Sequence, residues 1–349
     1  RGTTDDKGPA MAALYAMKAV KDSGISLKRK VRLILGLNEE SGWRCMEHYF
    51  SKVAHPDMAF TPDAEFPVIH GEKGIIIFNL KYKLHQSEDC EVLIKELNGG
   101  IAPNMVPDSA KAVLSVKDKV LFKAAFDKFA DEKNLPVTLT NLGDDMVIDA
   151  RGISAHGSTP EKGENAITHL MSFLGTVYNG GCSMCSFIRI YNERLANNHH
   201  GESIGCGLED DVSGKLNFNV GMITLKDNEI IITINVRYPI KSTAQEVYDG
   251  IRDNLKDTPI LLAEGKSDSK PLYVPVDNFL VETLMKVYQE HTGDKESKPI
   301  TIGGGTYARA TQNAVAFGPM LPGQPDVAHQ KDEYIAIEHL VDLADIYSK

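Results

Sequence analysis

Several acidic side chains and one histidine fall where an α/β fold would gather them. Glu39 and Glu40 follow the apolar run Val31–Leu35, Asp63 follows Met58–Phe60, His329 stands in the loop after Val315–Phe317, and Asp5 precedes an Ala-rich helical stretch. In an open α/β sheet, ligands bind in the crevice outside the carboxyl ends of the strands. Carboxylates converging on that edge repel one another unless a cation lies among them. A set of Asp, Glu and His suits a divalent ion of intermediate softness, such as Zn²⁺, Mn²⁺ or Co²⁺. Taken singly, each of these residues is more usually a solvated loop side chain, and Glu39-Glu40 could equally sit at the positive end of the helix that follows. Residue types and spacing therefore make a metal site possible without reaching it.

The elements that must position these residues follow from periodicity. Gly8–Asp22 reads as a helix stopped by Gly24, Val31–Leu35 as a short buried strand, Trp43–Ser51 as a helix and Asp57–Phe60 as another strand. This alternation implies a mainly parallel sheet. The middle changes character. Gly74–Leu84, Ala110–Val116 and Met146–Ser154 are strand-like, Val120–Phe129 carries Phe122, Phe126 and Phe129 on one helical face, and Ala166–Tyr178 is an amphipathic helix. Leu216–Leu225 and Glu229–Tyr238 form a hairpin about Asp227-Asn228, with Ile230, Ile232, Ile234 and Val236 on one face and Arg237 on the other. A helix face at Val247, Ile251 and Leu255 completes an antiparallel α+β block. After it the first style returns: a helix around Leu280–Tyr288 stopped near Gly293, a strand at Pro299–Ile302, a glycine-rich turn, a strand at Val315–Phe317 and a final helix at Ile337–Tyr347. The expected architecture is α/β, a mainly parallel-sheet domain with helices on both faces (residues 1–74 and 271–349), interrupted by an inserted antiparallel α+β lid (75–270).

Composition narrows the function classes. The 349 residues carry 38 Lys and Arg against 48 Asp and Glu, a formal net charge of −10, so there is no basic field to grip a nucleic acid. No apolar run approaches the roughly 18 residues of a membrane helix. Five cysteines, at 45, 90, 182, 185 and 206, do not make a secreted disulfide framework, which points to a reducing, cytoplasmic setting. Cys182-x-x-Cys185 lacks a second pair and reads as two ordinary small residues. His48, His199 and His200 read as surface residues.

Eight segments, in order and along nearly the whole chain, resemble one family. They are Arg1 to Pro9 with its Asp5-Asp6-Lys7-Gly8, Asn38-Glu39-Glu40-Ser41-Gly42, Phe60 to Gly74, Asn104 to Asp108, Ala155 to Glu161, Asn235 to Pro239, Gly303 to Arg309 and His329 to Tyr334. Together they are similar to the dinuclear metallopeptidases that include aminoacylase, carnosinase and succinyl-diaminopimelate desuccinylase, nearest to the PepV-type dipeptidases. The resemblance implies two divalent metal ions, Zn or Mn with Co as an option. Asp5 would bridge them through a residue whose bond to Asp6 is cis, Glu40 and His329 would ligate one metal, and Asp63 the other. It implies Glu39 as general base toward a metal-bridged water and His156 as the oxyanion-stabilising histidine of the lid. Asn104 and Arg237 would hold the substrate backbone and its carboxylate, and Gly304, Gly305 and Thr306 would border it. The implied activity is hydrolysis of dipeptides with free termini, Xaa-His being one option, by a monomer that binds neither nucleic acid nor membrane.

The family also carries a His-x-Asp motif upstream of the Asp5 segment, and its His joins Asp63 on one metal. No such motif stands upstream of Asp5 and nothing downstream replaces it, so either an N-terminal stretch of the natural protein precedes Arg1 or the chain is a truncated form. The upstream His ligand is accordingly expected to be absent from this chain. Two alternatives stand beside the dipeptidase: an N-acyl amino acid deacylase of the same family, and a catalytically silent α/β ligand-binding relative. Gly303-x-Gly305-x-x-Ala308 after a strand weakly resembles a dinucleotide fingerprint, but no P-loop accompanies it.

Overall fold

The computed structural model describes residues 2–40, 42–85, 90–178, 180–265, 267–325 and 327–349; Arg1 and Ser41, which fall within the motifs above, lie outside the described residues. Two compact units share the chain: Arg1–Lys73 with Pro271–Lys349, and Gly74–Lys270. Parallel and antiparallel pairings both occur, so the protein is mixed α/β. No helix among the described residues is long and apolar enough to cross a membrane.

The discontinuous unit is built on a small mixed sheet. Ala59–Thr61 pairs parallel with Ala314–Ala316, and Ile300–Ile302 pairs parallel with Ile69–Glu72. Ile69–Glu72 also meets Ala314–Ala316 and Leu272–Tyr273 in antiparallel fashion. A separate parallel pair joins Ala64–Glu65 to Pro319–Met320. The helix Gly8–Asp22 starts with Pro9 in its first turn, where a missing N–H is harmless. Its buried Ala12 joins Leu343 and Ile346 of the helix Ile337–Ser348 in one core. That core continues through Phe66 and Val68, Val315 and Phe317, and Val281, Leu284 and Tyr288 of the helix Phe279–Thr292. Gly293, at φ 76, closes that helix in the left-handed conformation glycine adopts without steric penalty.

The expected strand at Val31–Leu35 does not form. The segment has no regular secondary structure and, among the described residues, no ladder partner. Val31, Leu35 and Leu37 are exposed at 53%, 67% and 92%. An alternating apolar pattern supplies one face of a strand, but its backbone groups still need a neighbour to become a sheet.

The continuous unit is an antiparallel sheet running, in spatial order, Ile260–Ala263, Gly74–Lys83, Glu229–Tyr238, Asn217–Lys226, Val92–Gly99, Ser109–Val116, Asp145–Arg151 and Val137–Leu142. Alternate residues of these strands, among them Ile76, Phe78 and Leu80 and Ile230, Ile232 and Ile234, are fully buried in a single core with the helices. Phe122, Phe126 and Phe129 of the helix Lys119–Lys133 all pack edge-on against Phe173 of the helix Ala166–Val177. Asn165 caps that second helix by accepting from the Ile167 N–H at 2.9 Å, and its amide donates to Val220 O at 2.9 Å, tying helix start to sheet. Thr243 and Glu246 form a capping box at the start of Ala244–Leu255. The hairpin turn is Asp227-Asn228, both at positive φ.

Candidate functional site

Three segments far apart in sequence meet in the discontinuous unit. Asp5 lies in the turn Thr3–Lys7 that leads into the helix Gly8–Asp22. Glu40 lies in the loop before the helix Arg44–Phe50, and His329 in the loop between Pro319–Met320 and the final helix. One ligand atom from each of Asp5, Glu40 and His329 lies within 4.8 Å of the others. The His329 Nε2 is 2.6 Å from Asp5 Oδ2 and 3.0 Å from Glu40 Oε1. The peptide bond between Asp5 and Asp6 is cis.

Further carboxylates surround this group. Asp63, two residues past the strand Ala59–Thr61, has its pKa pushed up to about 9 by burial and then by the charges of Asp6, Glu39, Asp5 and Glu40. Asp6 is raised to about 8 by burial, then by Asp5 and Glu39. Glu39 is raised to about 7, first by burial and then by Glu40, while a hydrogen bond from the Trp43 indole works the other way. The Asp6 Oδ1 is buried and has no hydrogen-bond partner. Mutual repulsion of this kind is what a bound cation relieves. An orphaned carboxylate oxygen beside an Asp, Glu, His donor group fits a divalent metal centre.

The glutamate loop is held from both sides. The Trp43 Nε1 donates to Glu39 Oε1 at 3.2 Å, and the Trp43 backbone N–H donates to Asn38 O at 2.9 Å. The Tyr307 hydroxyl accepts from the Asn38 N–H at 3.1 Å and lies 3.1 Å from the Cys45 Sγ. Tyr307 belongs to the glycine-rich segment, whose conformation is fixed by a buried ion pair. Arg309 Nε is bonded to Glu72, fully buried, and the Arg309 guanidinium also donates to Lys73 O at 2.6 Å and Gly304 O at 2.7 Å. Thr306 donates to both oxygens of Glu72, from its hydroxyl at 2.7 Å and its N–H at 3.2 Å. Gly305 has no room for a side chain without meeting Arg309 at 3.1 Å. The strand Ile300–Ile302 thus leads into a turn and then a four-residue 3-10 segment, Tyr307–Ala310. The glycines are followed by a short 3-10 turn capped by Thr306, not by the long helix of a dinucleotide-binding unit.

Asn104, His156 and Arg237 lie in the continuous unit, where a local network relates them. The Gly157 N–H donates to Asn104 O at 2.7 Å, and Met105 bridges His156. The His156 Nδ1 is 2.6 Å from Ser158 Oγ. The Asn219 amide donates to Pro103 O and Met105 O on either side of Asn104, and Asn219 sits opposite Asn235 in the hairpin. Asn235 accepts from the Arg237 Nε at 3.0 Å, and Arg237 is buried, 5% exposed. His199 and His200 are half-buried rather than on the surface; His200 Nδ1 is 2.9 Å from Leu216 O, which gives it a packing role. All five cysteines are free, and Cys182 caps the helix Ser183–Arg194 by accepting from the Cys185 N–H at 3.2 Å.

Trp43, Glu72, Arg309 and Glu333 were not singled out by sequence pattern. Glu72, Arg309 and Glu333 stand inside the motif segments above, so position within a motif is the available signal for them.

The family described as Peptidase family M20/M25/M40 matches residues 1–349. "Putative dipeptidase YtjP" of Bacillus subtilis (strain 168) is 39% identical over 352 residues, covering 100% of this chain and 74% of the relative. "Putative dipeptidase SH1171" of Staphylococcus haemolyticus (strain JCSC1435) is 38% identical over 352 residues, covering 99% and 74%. Among solved structures, aminoacylhistidine dipeptidase from Vibrio alginolyticus aligns at 14% identity with a TM-score of 0.47, over 90% of this chain and 69% of that one. The chain belongs to the peptidase family M20/M25/M40 and is a metallopeptidase.

Proposed function

We propose that the chain is a dinuclear metal-dependent dipeptidase that cleaves small peptides with both termini free. The observation that carries this reading is the convergence of Asp5, Glu40 and His329 donors within 4.8 Å of one another. Asp5, Glu40, His329 and Asp63 are the residues that would hold the two ions, with Glu40 and His329 on one side and Asp63 on the other. Bound Zn²⁺ or Mn²⁺ supplies Lewis-acid charge that brings the pKa of a water toward neutrality.

The protein's own groups do the rest. Glu39 stands outside the donor trio, its carboxylate oriented by the Trp43 indole at 3.2 Å. A carboxylate so placed, outside the donor trio and free to change protonation state, can take a proton from water and hand it to the leaving amine. The Arg237 guanidinium, fixed by Asn235, suits a planar peptide carboxylate. His156 would donate to the oxygen on which charge develops, and Asn104 to the substrate backbone. Gly304, Gly305 and Thr306, held by Arg309 and Glu72, would border the substrate. The dipeptidase names of the relatives support this substrate class, and Xaa-His peptides belong in the first panel. We further assign a cytoplasmic monomer, in keeping with five free thiols.

The test is hydrolysis of a dipeptide panel and of N-acyl amino acids by the intact protein, metal-stripped and then reloaded with Zn²⁺ or Mn²⁺. Metal-dependent dipeptide cleavage is expected. In Glu39→Gln, kcat should fall by about 10²–10⁴-fold while metal content stays the same. Turnover of N-acyl amino acids alone would move the protein to the deacylase branch. Full activity in Glu39→Gln would remove the assigned base.

A further inference from the structure

Glu333 lies four residues beyond His329 and is only 7% exposed. Its Oε1 accepts from the backbone N–H groups of Thr4 at 2.7 Å and Asp5 at 3.0 Å, and its Oε2 from the Gly2 N–H at 2.9 Å. The neighbouring hydroxyls reinforce the contact: Thr4 Oγ1 donates to Tyr334 O at 2.7 Å, and Thr3 Oγ1 to Glu333 O at 3.4 Å. Nearby N–H groups that converge in an irregular turn form an anion-binding nest, and here a side chain of the same molecule fills it. One oxygen thus holds the N–H of Asp5, while the carboxylate of Asp5 lies 2.6 Å from His329 Nε2. The same C-terminal loop both presents the histidine and grips the backbone that carries its partner.

We propose that Glu333 is a positioning residue for the metal centre, fixing the Asp5 backbone in register with His329. The inference rests on the reading of Asp5 and His329 as metal ligands. An ionised carboxylate is the fitting group, because all three partners are donors and both its oxygens only accept. A glutamine of the same size keeps one acceptor oxygen and turns an NH₂ donor toward the remaining N–H. Partners of this kind typically alter metal affinity by about 10–100-fold, because they set where the ligand atom sits.

The test titrates Co²⁺ into the metal-stripped intact protein and follows its visible absorption, with the melting temperature of the metal-free form measured alongside. Glu333→Gln should weaken Co²⁺ binding by about 10–100-fold and change the absorption envelope, with metal-free melting close to that of the parent. Glu333→Asp, which keeps the charge one methylene short, should recover part of the affinity, and it carries the test if the glutamine variant does not fold. Parental affinity and absorption in both variants would overturn the proposal. So would a loss of affinity that only tracks a lowered metal-free melting temperature. Asp5→Asn separates the two levels: parental Co²⁺ binding in that variant would sink the ligand reading itself, whereas loss in Asp5→Asn with none in Glu333→Gln would sink only the role of Glu333.

Discussion

Replacing Asp63 by asparagine should stabilise the metal-free protein at neutral pH, although it removes a proposed ligand. Asp63 is pushed from 3.8 to about 9 by burial, then by Asp6, Glu39, Asp5 and Glu40. The folded chain therefore keeps a proton that the unfolded chain releases above pH 4. With the folded pKa above the unfolded one, stability is highest below about pH 4 and falls as pH rises toward 9. At pH 7 the gap to 3.8 is 3.2 pH units, which at about 1.4 kcal/mol each gives an upper figure of about 4 kcal/mol. Coupling among the carboxylates reduces this, so about 2–4 kcal/mol is the working range. At pH 5 the same reasoning leaves about 1–2 kcal/mol at most. An asparagine side chain has no proton to hold, so denaturant unfolding in a chelator should show Asp63→Asn more stable than the parent at pH 7, with a smaller gap at pH 5. Added metal should reverse the order, because the parent gains binding energy that the variant loses. A metal-free Asp63→Asn protein that is less stable than the parent at pH 7, or a gap that does not narrow on acidification, would refute the reasoning.

Two other outcomes follow from the same unit. Arg309→Met leaves the buried Glu72 carboxylate without its cation, held only by the two Thr306 hydrogen bonds, and should destabilise the protein by about 3–5 kcal/mol. The paired Arg309→Met, Glu72→Gln variant should recover part of that in a denaturation series. Trp43 is the single tryptophan of the chain and its Nε1 is bonded to Glu39 Oε1, so titration with Zn²⁺ should change its emission. An emission spectrum indifferent to saturating Zn²⁺, with binding shown independently, would place the metal away from Glu39.

Much of the fold was legible because burial imposes a period. The helices Gly8–Asp22 and Ala166–Val177 and the hairpin from Asn217 to Tyr238 lie almost where apolar spacing puts them. The strand Val92–Gly99 escaped notice because its register shifts between Ile94 and Glu96, breaking the alternation. Val137–Leu142 is mostly exposed and offers little apolar signal. The helix Ser183–Arg194 is capped by Cys182, a residue type outside the usual Ser, Thr, Asp and Asn start signals. At the site, the residue types of Asp5, Glu40 and His329 were visible, but only family resemblance brought them together. The clamp from Glu333 to Gly2, Thr4 and Asp5 spans 328 residues or more and uses backbone donors that no side-chain pattern records.

The interleaving of the two units bears on the order in which the protein is made. Gly74–Lys270 is one uninterrupted stretch whose sheet can close from local hairpins outward. The other unit needs residues 1–73 to find residues 271–349 across that stretch, so its contacts carry the larger loop-closure entropy. During synthesis the continuous unit can fold while the partner of Asp5 is still untranslated. The donor trio comes into being only after His329 has left the ribosome, so metal loading follows synthesis of both halves of the discontinuous unit.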